Sequence, residues 1–349
     1  MIMDNRDVFP DRGNMWTFSA DVGNGGSGDG GSGIVGFGNV GFGDGGSAGD
    51  ADPFAVTAGD PSGAVWNEVS HTLVVRPGAV LTLSMASGYE NGTDGGRIVV
   101  EDGAHLTLDG VRINVSARRD AAALLVDSGR LDLVLAAGSD NRLWSGADRA
   151  GLENGEHELV IVAAGPRHGV ARNVGRLSAC SYSASEDVDG AGIGGAKGER
   201  GANITINGGV IEAFARADRH NAYGAGIGGG RGSDGGNVLI GSGTVTAGCR
   251  ASRGMAYGAG IGGGYGGSGT DITIRGGEVA AWSRGLQGSY GAGVGGGQSD
   301  DLFGGGTGGM ARRITVAGGR LRASGNVPVG SGLWGGESRD ISVAAGTMA

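Results

Sequence analysis

The stretch Gly224-Ala225-Gly226-Ile227-Gly228-Gly229-Gly230 decides the reading, because it returns along the chain. Copies begin at Gly190, Gly258 and Gly291, at steps of 34, 34 and 33 residues, and a degenerate copy is read at Gly330-Ser331-Gly332-Leu333-Trp334-Gly335-Gly336. A second motif keeps pace: Asn203-Ile204-Thr205-Ile206, Asn237-Val238-Leu239-Ile240, Asp271-Ile272-Thr273-Ile274 and Arg313-Ile314-Thr315-Val316. Its last step lengthens to 42 because Ser299 to Met310 carries an insertion. Periods of this size mean stacked repeats. Inside each unit Ile204 and Ile206 alternate with Thr205, Ile211 and Ala213 with Glu212, and Ala191 and Ile193 with glycine. Such alternation gives about three short strands per repeat, each with one face inward. The inward columns recur at Val245/Ala247, Val279/Ala281 and Leu321/Ala323. Strands that pair with their copies in the next repeat predict an all-β fold, a right-handed parallel β-helix (solenoid) with a core of stacked Ile, Val, Leu and Ala. A propeller would need four longer antiparallel strands per blade.

Composition agrees. The 349 residues include 82 glycines, against an average usage of about 7 %, which excludes a helical bundle and an ordinary α/β enzyme. Collagen is excluded by the lack of a strict G-X-Y period and by only 6 prolines. The net charge of −9 and the absence of a Lys/Arg run argue against a nucleic-acid partner. Cys180 and Cys249 fit no CxxC or Cys/His metal pattern and are read as free thiols. No apolar run is long enough to span a bilayer, so no membrane insertion is expected. Met1-Ile2-Met3-Asp4-Asn5-Arg6-Asp7 lacks the pattern of a signal peptide. Such a chain is either cytoplasmic or a fragment or mis-started reading frame of a secreted protein, and the closing half-repeat, Asp340 to Gly346, favours the fragment.

Residues 1–65, with the Gly/Ser/Asp tract from Gly23 to about Asp52, are expected to form a disordered, flexible segment. Residues 66–349 are expected to form the repeat domain. Its opening region alternates in short runs, such as Val80-Leu81-Thr82-Leu83, His105-Leu106-Thr107-Leu108 and Leu131-Asp132-Leu133-Val134-Leu135, with Asp-Gly turns between them.

The order Ala104-His105-Leu106-Thr107-Leu108-Asp109-Gly110, then Ala121-Ala122-Ala123-Leu124, then Leu131 to Leu135, then the Tyr-Gly-Ala-Gly-Ile-Gly-Gly-Gly repeats with Asn203-Ile204-Thr205-Ile206-Asn207-Gly208-Gly209, resembles the carbohydrate-binding-domain-containing β-helix proteins of bacterial cell surfaces, similar in fold to pectate lyases. The resemblance covers about residues 70–349. It implies polysaccharide binding, sometimes with Ca²⁺, and a surface or secreted location. The residues themselves point to no cofactor. They also depart from a lyase, which needs a carboxylate cluster and a basic neighbour on one outward face. The outward columns Thr205/Leu239/Thr273/Thr315 and Glu212/Thr246/Ala280/Arg322 supply no such cluster. The expectation is therefore a chain that is not an enzyme.

Residues that repeat in register form ladders, and ladders are where a ligand is placed. Tyr223, Tyr257 and Tyr290 each precede a glycine motif, as aromatics that shield a turn or as a sugar-stacking stripe. Arg216, Arg250 and Arg284 recur at steps of 34, with Arg219 and Arg253 beside them. Stacked like charges are destabilising unless solvated in a flexible loop or neutralised by an anion, such as a uronate-rich or sulfated polysaccharide held through arginine forks. Phe214 and Trp282 share a position two repeats apart, with Gly248 between, and could grip alternate sugars. Asn203, Asn237 and Asp271 open the second strand and are read as a structural corner. The glycine motifs lack the Lys-Ser/Thr of a phosphate loop, and the five histidines show no ligand spacing. Leu239 interrupts the threonine column and counts against an ice-binding face. The readings are a carbohydrate-binding or adhesion module, a structural spacer without ligand and, third, a polysaccharide lyase.

Overall fold

The computed structural model describes residues 51–165, 174–299 and 309–348. The flexible-segment reading of residues 1–50, the signal-peptide reading, His168 and most of the Ser299–Met310 insertion lie outside the described residues. The described chain is all-β and builds two long, mostly parallel sheets of 15 and 10 strands.

The alternation in the sequence sets the register. In the larger sheet Leu81, Leu106, Leu133, Ile161, Ile206, Ile240, Ile274, Val316 and Val343 pair successively as one inward column. The smaller sheet carries a matching column from Leu73 through Ile98, Leu124, Leu152, Ile193, Ile227, Ile261 and Val294 to Val329. From Leu81 to Val316 and from Leu73 to Val294 these side chains are buried, each burial stabilising the fold by about 1.5–3 kcal/mol. The short runs before residue 165 thus extend the same columns that the later repeats continue. The second and third strands of a repeat were expected to be separate; they run together as Gly201–Ala217 and Gly235–Ala251, with register shifts around Asn207 and Val210. The inward Ala215, Ala217, Cys249 and Ala251 pack with Ala222 and Ala256 in a small satellite core.

Two expectations need correction. The boundary at residue 66 is too late, because Phe54–Gly59 and Ala64–Asn67 are already strands. They pair antiparallel with Val80–Met85 and Thr72–Val75 and close the parallel stack, with the Phe54 and Trp66 rings edge to face at 6.2 Å. The degenerate glycine copy is also out of register: Val294 pairs with Val329 and Gly295 with Gly330. Gly330 therefore ends the paired strand and does not open the motif. Val327 and Pro328, standing where earlier repeats have Ala and Gly, disguise the true copy.

Each repeat turns into its second strand through a left-handed residue: Asn203, Asn237, Asp271, Arg313 and Asp340 have φ between 50° and 60°. Asn and Asp tolerate this region better than other side chains. The Asn237 amide donates to Asn203 Oδ1 at 2.6 Å, and Arg313 holds Asp271 through a fork at 2.5 and 2.7 Å. The corner reading thus has a backbone cause beyond side-chain stacking. Asn237→Val is expected to lower stability by about 2 kcal/mol, since a β-branched residue is strained there and the ladder bond is lost. Asn237→Gly should cost under about 1 kcal/mol; equal urea midpoints for the two variants would refute the backbone cause.

Candidate functional site

The third strands of the repeats present one outward face, and their register fixes which side chains share it. Trp144, Cys180, Phe214, Gly248, Trp282 and Ser324 form a column across six neighbouring strands. Beside it run Tyr182, Arg216, Arg250 and Arg284. Adjacent strands lie about 4.8 Å apart, so the columns run across the strands.

Large and small side chains alternate in the aromatic column. Gly248 leaves a gap that the Trp282 indole fills: a Cβ built on Gly248 would lie 2.6 Å from the ring. Trp282 meets Phe214 across this gap, with centroids 5.6 Å apart and planes at 33°. The two rings thus make one joined platform, where separate grips on alternate sugars were expected. At the far end Trp144 meets Tyr182 at 5.3 Å, and its indole N–H is buried without a hydrogen-bond partner. Cys180, itself a member of this column, is buried, and burial pushes its thiol up to about 12; Cys249 is buried in the satellite core and pushed up equally. Both are free and inert as nucleophiles.

Arg216, Arg250 and Arg284 lie on strands, so the flexible-loop reading of this column is corrected. Two of the three lean on neighbouring groups. Arg216 leans over the Tyr182 ring at 5.4 Å and donates to Asp218, while Arg284 leans over Trp282 at 5.7 Å. The Tyr182 hydroxyl donates to the same Asp218 at 2.8 Å; burial, then this bond, pushes its pKa up to about 12. Arg219 and Arg253 sit in the exposed bends that follow.

The tyrosine ladder is a different structure. Tyr223 and Tyr257 stack face to face, 4.8 Å apart and 9° from parallel, and Tyr290 follows at 5.4 Å. Tyr265 closes edge-on against the first two, and the Arg231 guanidinium lies 4.0 Å over Tyr223. Facing rings leave little free face for a sugar. One repeat earlier the ladder position is Asp189, whose side chain is buried among Lys197 at 2.8 Å, Arg231 at 3.3 Å and Arg119 at 3.4 Å. This strip is therefore closed upon itself.

Sequence reasoning missed Trp144, Tyr182, Tyr265 and Arg231. The signal for the last two was a fixed offset after each glycine motif, at Lys197, Arg231, Tyr265 and Gln298, hidden because the residue types differ. Among the described residues no group of three or more His, Cys, Asp or Glu is placed to hold a metal ion, and no helix is long and apolar enough to cross a membrane. Comparison with protein-family models, curated proteins and solved structures finds no match.

Proposed function

We propose that this chain is a right-handed parallel β-helix carrying a non-catalytic carbohydrate-binding or adhesion surface, acting at the cell surface or after secretion. One observation carries the reading: the joined Phe214–Trp282 platform shares its outward face, in register, with the row Arg216, Arg250 and Arg284. Aromatic faces stack on the apolar side of sugar rings, and guanidinium forks hold hydroxyl and acid groups. The face offers no grouped carboxylates for acid–base chemistry, so binding is the role assigned to it.

The test is a glycan array probed with the full chain, with Ca²⁺ and with chelator. Selective retention is expected, weakened at least tenfold by Trp282→Ala with the melting temperature held; retention equal to wild type in that variant would refute the site.

The spacer reading draws support from the tyrosine strip, whose groups satisfy one another. Tyr223→Ala and Tyr257→Ala are each expected to lower stability by about 2 kcal/mol, through lost stacking and burial, with glycan retention unchanged. Lost retention without lost stability would return the ligand to the tyrosines.

A further inference from the structure

We infer, resting on the binding role proposed above, that the face takes a linear polyanionic glycan lying across the strands, with a sugar ring on the Phe214–Trp282 platform over Gly248 and acid groups along the arginine row.

Charge is the first argument. The same outward face adds Arg142, Arg176, Arg320 and Arg322 to the arginine row, against the carboxylates of Asp140, Glu212, Glu278 and, just past the strand, Asp218, which Arg216 holds. It is thus locally basic on a chain of net charge −9, and a local basic strip on an acidic body selects a polyanion by position.

Direction is the second. Both columns run across the strands, so a chain lying along one strand would meet a single arginine of the row and lose the others. From Trp144 to Trp282 the aromatic column crosses four strand spacings, about 19 Å, enough for several linked sugars.

Gly248 is the third. It is the position that lets the Trp282 indole lie over the backbone and reach Phe214, with the ring planes tilted by 33°, so it sets the platform without touching the ligand itself. Gly248 is outside the positive-φ glycines, so a strand-forming residue is compatible with the backbone, and the atoms nearest to a Cβ there are those of the indole. Single-stranded nucleic acid also combines stacking rings with arginines. Its dense phosphates would meet the repulsion of the whole acidic chain, whereas a glycan with an acid group per sugar or per pair meets less.

The experiment measures binding of the full chain to polygalacturonate, its oligomers of increasing length, chondroitin sulfate, a neutral β-glucan and oligo(dT). Affinity for the uronate or the sulfated polymer, whichever supplies the acid group, should exceed that for the neutral polymer at least tenfold and fall with salt. It should also rise with oligomer length until the column is spanned. Gly248→Val and Arg250→Glu should each weaken it at least tenfold with an unchanged melting temperature. Should Gly248→Val fail to fold, Trp282→Ala and Arg250→Glu decide. Neutral glycan bound equally well, lost in Trp282→Ala but unmoved in Arg250→Glu, would overturn the polyanion while leaving the binding role standing. No retention of any glycan would overturn both, and tighter binding to oligo(dT) than to every glycan would overturn the ligand class.

Discussion

Gly228→Ala is expected to destabilise the stack by about 4 kcal/mol, whereas Gly232→Ala nearby should cost only about 1–2 kcal/mol. Both glycines have positive φ, 129° and 83°, so the backbone penalty is shared. Their surroundings differ. A Cβ on Gly228 would stand 2.1 Å from the Gly262 carbonyl oxygen, while nothing lies within 4 Å of a Cβ on Gly232. The Gly262 oxygen cannot yield, because it accepts the Gly229 N–H at 2.9 Å and so belongs to the ladder between repeats. A methyl group at Gly228 must therefore push neighbouring repeats apart or break that bond. Since each repeat is held chiefly by its neighbours, damage should first appear as proteolytic cleavage around residues 228–262. Urea unfolding and limited proteolysis of the two variants are the measurement; equal midpoints would show that close packing between repeats is not what these glycines provide.

That packing explains how much of the architecture was legible. The inward columns followed from alternation, because a buried face must be apolar at every second residue, and Ile204, Ile206, Ile211 and Ala213 are all buried. The repeat at Gly190, Gly224, Gly258 and Gly291 was legible because close approach admits only glycine, and a constraint on size leaves a mark on residue type. The earlier strands carry the same columns, at steps of 25, 27 and 28 from Leu81 through Leu106 and Leu133 to Ile161. Their periodicity was not read because their corners are not bound by that constraint. Outward positions leave weaker marks. The arginine row and the Phe214–Gly248–Trp282 column were found because they kept the 34-residue step. Trp144 escaped because it lies 36 residues before Cys180, and the joining of Phe214 to Trp282 depends on a rotamer that no spacing encodes.

Stability is expected to fall as pH rises from about 4.5 to about 7, with Glu153 contributing about 3 kcal/mol of the loss. Glu153 pairs with Gly194 of the next repeat, so a carboxylate stands in a column that glycine occupies thereafter. Its side chain is buried, and burial pushes its pKa up to about 7 although Arg149 and the Ala150 N–H both pull it down. The Glu199 carboxylate adds to the rise. Below about pH 4.5 the folded and unfolded chains are both protonated at this residue, and it adds no pH dependence. Between about 4.5 and 7 the unfolded chain ionises first, so each step of pH favours unfolding. Above about 7 both states are ionised, and the folded one carries a buried carboxylate whose partners do not replace its lost hydration. Glu153→Gln removes this slope. The variant should lose stability against the wild type at pH 4.5, where the neutral acid is well accommodated, and gain at pH 8.5. Taking the difference between the two proteins cancels the titration of every other group, so parallel curves of unfolding free energy from pH 4.5 to 8.5 would show that Glu153 ionises in the folded chain as readily as in the unfolded one.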